Sequence, residues 1–183
     1  MSAMSCRLFF ALRPPVVIRE SLLSLMEQVS GARWQDDDQL HLTLRYIGET
    51  DERTAEDIAD AASHLAFAPF DISVDGCSYF ARKGIPTQLY AVIKPDDRLA
   101  ALHKKIDRIC VQCGIEPERR KFLPHITLAR LNRSTGPLST FLAKHGAVML
   151  GPWRVDDYIL YESHLREQGS LYEPLCTYSA RIK

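Results

Sequence analysis

The sequence predicts an α+β fold made of two similar halves, and three observations lead there. The tetrapeptide His41-Leu42-Thr43-Leu44 recurs as His125-Ile126-Thr127-Leu128, 84 positions further along the chain. Segments that alternate apolar and polar residues are interleaved with amphipathic helical segments, and the hairpins among them favour α+β over a doubly wound parallel sheet. The order strand, helix, strand, helix, strand beginning at Cys6 is echoed from Pro86, with a histidine motif on the second strand of each copy. Such a duplication lets the two histidine strands face each other across a cleft, related by a pseudo-twofold axis.

Each element has its own signal. Arg7 to Leu12 reads as a buried strand stopped by Pro14-Pro15. Val17, Ile18, Leu22, Leu25, Met26 and Val29 recur at helical spacing, so a helix is expected over Val16 to Val29, closed by Gly31. Trp34 and the acidic Asp36-Asp37-Asp38 read as a connection. In the first histidine strand, Leu40, Leu42, Leu44 and Tyr46 fall on the apolar side, and His41, Thr43 and Arg45 on the polar side. Gly48-Glu49 ends it, and Thr50 or Asp51 caps a helix to about Ala66 with Ile58, Ala61, Ala62 and Leu65 inward.

Phe70 to Phe80 alternates as a strand with a bulge at Gly76, and Arg82-Lys83-Gly84 turns it into a second strand over Pro86 to Ile93. Asp96 or Asp97 caps an amphipathic helix that runs to Cys113 and stops at Gly114. Pro124 keeps the chain extended before His125. In that second histidine strand Ile126 and Leu128 point inward, His125 and Thr127 outward. Arg130 has the wrong parity for the His125 face, so it reaches the cleft only through a bulge or a twist. A short helix over about Gly136 to His145 follows. A strand over Val148 to Leu165, broken near Gly151-Pro152, a turn at Gln168-Gly169-Ser170 and a last strand over Leu171 to Ile182 complete the chain.

At 183 residues the chain suits one domain of two lobes sharing a core. Its apolar fraction of 46% and charged fraction of 25% are those of a globular protein. Lys plus Arg and Asp plus Glu both number 23, and this balance argues against a large nonspecific nucleic-acid binder. It leaves room for a small basic cleft that grips one or a few phosphates. The five cysteines are scattered, and Cys110-x-x-Cys113 lacks the second pair that a zinc site would need, so free structural thiols are expected. No secretory signal opens the chain, and no apolar run approaches the roughly 20 residues of a membrane span. A cytoplasmic monomer without a membrane partner is expected.

Two opposed histidines suit acid–base catalysis near neutral pH, one neutral and taking a proton from water, the other charged and donating to a leaving oxygen. Thr43 and Thr127, on the same faces, can donate to an anionic oxygen, and Arg45 and Arg130 can neutralise it. The combination fits displacement at phosphorus. Two histidines are too few to ligate a metal, and no neighbouring carboxylate or cysteine set completes a site. His64, His103, His145 and His164 lack a repeated context and read as surface or structural residues. Phe9, Phe10, Trp34 and Tyr46 offer stacking faces or core, and Arg119, Arg120 and Lys121 read as a solvated loop or as an attraction for an RNA backbone.

His41-Leu-Thr-Leu-Arg-Tyr-Ile-Gly-Glu49 and Phe122-Leu-Pro-His-Ile-Thr-Leu-Ala-Arg130 resemble the paired motifs of the RNA 2′,3′-cyclic phosphodiesterases. These are the 2′-5′ RNA ligase-like proteins of the two-histidine phosphoesterase superfamily. Arg7-Leu-Phe-Phe-Ala-Leu12, Tyr161-Glu-Ser-His-Leu165 and Tyr172 are similar too, so the resemblance spans nearly the whole chain. Tyr46 departs from a commoner Phe, and Asp36 to Asp38 replace a segment that often holds a proline. The resemblance implies a bilobal α+β fold with two antiparallel sheets flanking a central cleft and helices outside. It implies hydrolysis, without metal or cofactor, of a 2′,3′-cyclic phosphate on an RNA end or nucleotide to a 2′-phosphate. His41 would then be the proton donor to the departing 3′-oxygen and His125 the proton acceptor that activates water. Thr43, Thr127 and Arg130 would hold the phosphate. Microscopic reversibility would also let such a site join an end of this kind to a 5′-hydroxyl. A phosphodiesterase for a small cyclic nucleotide and a noncatalytic nucleotide- or RNA-binding module are the alternatives.

Overall fold

The alternation that marks the two histidine strands is also what builds the sheet. In the computed structural model, which describes residues 5–27, 29–166 and 169–181, nine strands and four α-helices are present among the described residues. The first half holds β1 (Ser5–Leu12), α1 (Val16–Ser24), β2 (Arg33–Trp34), a 3-10 turn (Asp37–Gln39), β3 (Leu42–Asp51) and α2 (Glu52–Ser63). A hairpin of β4 (Phe70–Arg82) and β5 (Ile85–Ile93) follows, then α3 (Asp97–Gln112) and β6 (His125–Arg130). The chain continues through α4 (Ser139–His145), β7 (Met149–Val155), β8 (Asp157–Arg166) and β9 (Gly169–Ser179). The end of the expected final strand at Ile182, Gln168 of the expected turn and Gln28 of the expected first helix lie outside the described residues.

The strands form a curled sheet in the order β7-β4-β5-β6-β3-β1-β8-β9, with β2 paired to β6 and every pairing antiparallel. The order is symmetric about its centre: β6 matches β3, β5 matches β1, β4 matches β8 and β7 matches β9. At that centre β3 and β6 are joined by a single residue pair, Leu42 with Ile126. The two expected antiparallel sheets are therefore two lobes of one curled sheet, and each lobe ends in one histidine motif. A lobe is not a contiguous half of the chain. Strand β4, from the first half, lies in the lobe of β5 and β6, and β8 and β9, from the second half, lie beside β1.

The apolar side of the sheet carries the core. Leu42, Leu44, Ile126 and Leu128 pack in one cluster with Ile18 and Leu22 of α1, Ile58 and Ala62 of α2, and Leu99, Leu102, Ile106 and Cys110 of α3. Burial of each such aliphatic side chain contributes about 1.5–3 kcal/mol. The Asp51 carboxylate caps α2 by accepting from Thr54 N–H at 3.0 Å, and Asp96 caps α3 by accepting from Arg98 and Leu99 N–H at 2.8 and 3.1 Å. The helices thus cover one face of the sheet and leave the histidine face open.

Three local differences from the sequence expectation have identifiable causes. Helix α1 stops at Ser24, because the chain tightens into short-range bonds from Leu25 N–H to Leu22 O and from Met26 N–H to Leu23 O. Gly151-Pro152 does not break a strand. It lies within edge strand β7, where the register with β4 shifts between Ile72 and Val74, and the break falls at Asp156 instead. The acidic connection is structured: Asp36 caps the 3-10 turn by accepting from Gln39 N–H at 3.1 Å, and Asp37 is gripped by Arg19 at 2.8 Å and Arg13 at 3.0 Å.

Candidate active site

His41, Thr43, His125, Thr127 and Arg130 line one cavity of about 270 Å³ on the open face of the sheet. Arg7, Phe9, Gln35, Tyr46, Gln88 and Tyr172 share its wall. His41 immediately precedes β3 and His125 opens β6, so the Leu42–Ile126 pair brings the motifs side by side.

Each histidine is held in the same way. The Nδ1 of His41 lies 2.7 Å from the backbone oxygen of Gln39, and the Nδ1 of His125 lies 2.7 Å from that of Leu123. A carbonyl only accepts, so Nδ1 carries the proton and Nε2 of the neutral ring is left with its lone pair. Two aromatic rings clamp each imidazole. Phe9 and Tyr172 each lie 5.0 Å from His41, and Phe80 and Tyr90 lie 5.1 and 5.2 Å from His125. Burial pushes the His41 imidazole down to about 4. The Gln39 bond opposes this, and the charges of His125, Arg130 and Arg13 add to it. His125 is lowered as well, again mainly by burial, with the Leu123 bond opposing and Arg130 adding. Both rings are therefore neutral at pH 7.

A repeated backbone device decides which other side chains reach the cavity. On β3, Thr43 pairs with Ala11 and Arg45 with Phe10, so Leu44 is an extra residue in the ladder. On β6, Thr127 pairs with Tyr90 and Ala129 with Leu89, so Leu128 is the matching extra residue. Each bulge reverses the alternation beyond it. Arg130 is thereby turned to the His125 face. By the same reversal Arg45 leaves the cleft, which corrects the placement expected from simple alternation. It is buried, 6% exposed, and its guanidinium donates to Asp107 at 2.7 Å, to Tyr46 O at 2.6 Å and to the backbone oxygen of Glu116. Tyr46, expected inside, is instead 46% exposed at the cavity wall. The two bulges place Tyr46 and Arg130 at equivalent positions in the two lobes.

Gln88 connects the polar groups of the second lobe. Its amide nitrogen donates to the Thr127 hydroxyl at 2.8 Å, and its amide oxygen accepts from Arg130 at 2.7 Å. With its oxygen accepting, the Thr127 hydroxyl has its own proton free to donate. On the opposite wall Arg7 is bonded to Glu49 at 2.6 Å. Sequence reasoning singled out neither Arg7 nor Gln88. Alternation held the signal, because Arg7 shares a face with Phe9 and Ala11, and Gln88 shares one with Tyr90.

The other histidines are elsewhere. His103 stacks on Phe122 at 4.0 Å and bonds to Leu44 O, and His145 is buried against Phe141. His164 lies 3.1 Å from Glu173, and His64 is exposed near Asp60. All five cysteines are free; Cys110 is in the core, and burial pushes its thiol up to about 12. Of the aromatic residues considered for stacking, Phe10 is fully buried, Trp34 packs on Phe141, and Phe9 lines the cavity but is buried between His41 and Tyr161, which leaves Tyr46 as the exposed ring. Among the described residues no group of three or more His, Cys, Asp or Glu is gathered to hold a metal ion, and no helix is long and apolar enough to cross a membrane.

The family model described as the 2'-5' RNA ligase superfamily matches residues 18–166. The chain belongs to that superfamily. It is 31% identical to an RNA 2',3'-cyclic phosphodiesterase of Thermus thermophilus, over 96% of this chain and 90% of that one. It is 32% identical to an RNA 2',3'-cyclic phosphodiesterase of Aeropyrum pernix, over 76% of this chain and 81% of that one. The crystal structure of TT0787 of Thermus thermophilus superposes with a TM-score of 0.80 at 28% identity, covering 96% of this chain and 98% of that one. E. coli LigT complexed with 3'-AMP superposes with a TM-score of 0.78 over 98% of this chain and all of that one; at 24% identity this is a likeness of fold.

Proposed function

We propose that the chain hydrolyses RNA 2′,3′-cyclic phosphate ends to 2′-phosphomonoesters by acid–base catalysis between His41 and His125. One observation carries the reading: two imidazoles, each pinned through Nδ1 to the carbonyl two residues back, line a single cavity with the Thr127 hydroxyl and Arg130. The name borne by the Thermus thermophilus and Aeropyrum pernix relatives supports it.

In this mechanism the cyclic phosphate anion lies between the imidazoles, its nonbridging oxygens taking hydrogen bonds from Thr43, Thr127 and Arg130. Nε2 of His125 removes a proton from water as the water oxygen bonds to phosphorus. The bond from phosphorus to O3′ breaks, and protonated Nε2 of His41 gives its proton to that oxygen. The product carries a free 3′-hydroxyl and a 2′-phosphate. His41 reaches its protonated form when the substrate anion offsets the positive charges of Arg130 and Arg13, raising an imidazole that burial and those charges depress. A 5′-hydroxyl in place of water would give a 2′-5′ linkage by the same steps. No metal takes part, and the whole chain acts as one catalytic domain.

A second assignment, with His41 as base and His125 as acid, draws on one observation, the strong depression of His41, which favours a neutral ring. Product analysis tests the main reading. RNA ending in a 2′,3′-cyclic phosphate should yield a 2′-phosphate end at an unchanged rate in excess chelator. A 3′-phosphate product, loss of activity in chelator, or binding without hydrolysis would overturn it.

A further inference from the structure

Resting on that reading, we infer that a second cavity beside the catalytic one is the track for the RNA strand on the 5′ side of the cyclic phosphate. This cavity, of about 620 Å³, shares Thr43, Tyr46, Gln88 and His125 with the phosphate cavity, so the two adjoin. It runs toward the segment between α3 and β6, where Arg120, Lys121, Phe122 and Leu123 complete it.

Three properties point to single-stranded RNA. The first is a supply of open apolar faces: Tyr46 is 46% exposed at the junction of the two cavities, and Leu123 is 51% exposed further along. The Phe122 ring, partly buried and stacked on His103, lines the same cavity. The exposed aromatic face of Tyr46 can stack an unpaired base of any sequence, and Leu123 adds apolar contact. The second is charge. Arg45 is paired with Asp107 at 2.7 Å and Arg120 with Glu118 at 2.9 Å, while Lys121 has no ion-pair partner among the described residues. The rim is therefore net positive beside an apolar floor. The third is direction. A 2′,3′-cyclic phosphate exists only at a 3′ terminus, so its strand continues solely through the 5′ side of the terminal nucleoside. A cavity adjoining the phosphate site supplies that exit. Of the two readings the sequence leaves for Arg119-Arg120-Lys121, a solvated loop or an attraction for an RNA backbone, the placement of Arg120 and Lys121 on this cavity favours the second.

The test compares two substrates, a 2′,3′-cyclic mononucleotide and a tetranucleotide ending in the same cyclic phosphate, with wild-type protein and with Lys121→Ala. Wild type should prefer the tetranucleotide in kcat/KM at low salt. Lys121→Ala should reduce kcat/KM for the tetranucleotide by about three- to tenfold, as for one charged contact, and leave the mononucleotide unchanged. The slope of log KM against log salt for the tetranucleotide should flatten by about 0.7 in the variant, the value for one phosphate contact on a single strand. Equal effects on both substrates, or none on either, would overturn the track while leaving the catalytic reading in place. Failure of wild type to hydrolyse either substrate would overturn the catalytic reading, and the track with it.

Discussion

On one side of the cleft His41 sits between Phe9 and Tyr172, its carbonyl partner Gln39 belonging to a 3-10 turn that Asp36 caps and that Arg13 and Arg19 clamp through Asp37. The Gln39 side chain also donates to Ser170 O at 3.0 Å, tying that turn to β9. On the other side His125 sits between Phe80 and Tyr90, its carbonyl partner Leu123 lying in an extended segment fixed by Pro124. The same motif and the same Nδ1 bond thus occur in a more closed and a more open setting. After the matching bulges, the first lobe presents a tyrosine where the second presents an arginine braced by Gln88. A duplicated strand supplies two equivalent imidazoles, and the neighbours make them different. That inequality can bias which ring holds the proton in a reaction that needs one acid and one base.

The largest expected effect comes from removing either ring. His41→Ala and His125→Ala should each lower kcat by about 10³-fold or more while circular dichroism stays native, since neither ring is in the core. The roles separate with a substrate whose departing 3′-oxygen is replaced by sulfur, a leaving group that needs no proton. That substrate should rescue His41→Ala and leave His125→Ala inactive; the opposite pattern would exchange the roles.

Next comes the position where the lobes differ. Arg130→Ala should cost about 10²-fold in kcat/KM through loss of the phosphate-facing charge, whereas Tyr46→Phe should stay within about twofold of wild type on a cyclic mononucleotide. Comparable losses in the two variants would erase the distinction between the lobes. Gln88→Leu removes the brace from both Thr127 and Arg130, and a drop of about tenfold, carried in kcat with KM little changed, is expected. Restored activity in Gln88→Glu, which keeps only the acceptor for Arg130, would assign the effect to the arginine.

The smallest effect concerns stability and pH. Because His41 is depressed to about 4 in the folded chain, the unfolded chain binds the extra proton first as the pH falls below 6.5. Stability should therefore decline between about pH 6.5 and pH 4 and be fully present above that window, on the order of 3 kcal/mol from this group. Urea titrations of wild type and His41→Gln should show a shallower decline in the variant over this range. Parallel curves would mean that His41 is not desolvated in the folded chain.

The periodic elements were legible in the sequence because their signals are local. The caps Asp51 and Asp96, the bulge at Gly76 and the inward rows of α2 and α3 follow from side chains within a turn or two of one another. The repeated His-x-Thr was legible because both residues precede the bulge in each strand. Arg45 and Tyr46, one and two residues past it, were misplaced. Nothing in Leu44-Arg45-Tyr46 marks an extra residue, since that residue exists only relative to the pairing with β1. Gln88 was missed for a related reason, because a lone glutamine on a strand acquires a role only when Thr127 and Arg130 are brought beside it.

By itself the sequence determined the strands, the helices, their caps and the twin motif with its alternation, all of which depend on short-range sterics and on burying one face of each element. It also contained the duplication, and with it the central symmetry. The tertiary structure alone decided which strands make up a lobe, since β4 and β8 each cross to the other one. It decided that Arg45 fastens α3 while Arg130 faces the cleft, because parity past a bulge is set by the neighbouring strand. It also decided the unequal solvation of His41 and His125, because desolvation comes from groups far apart in the chain and close only in the fold.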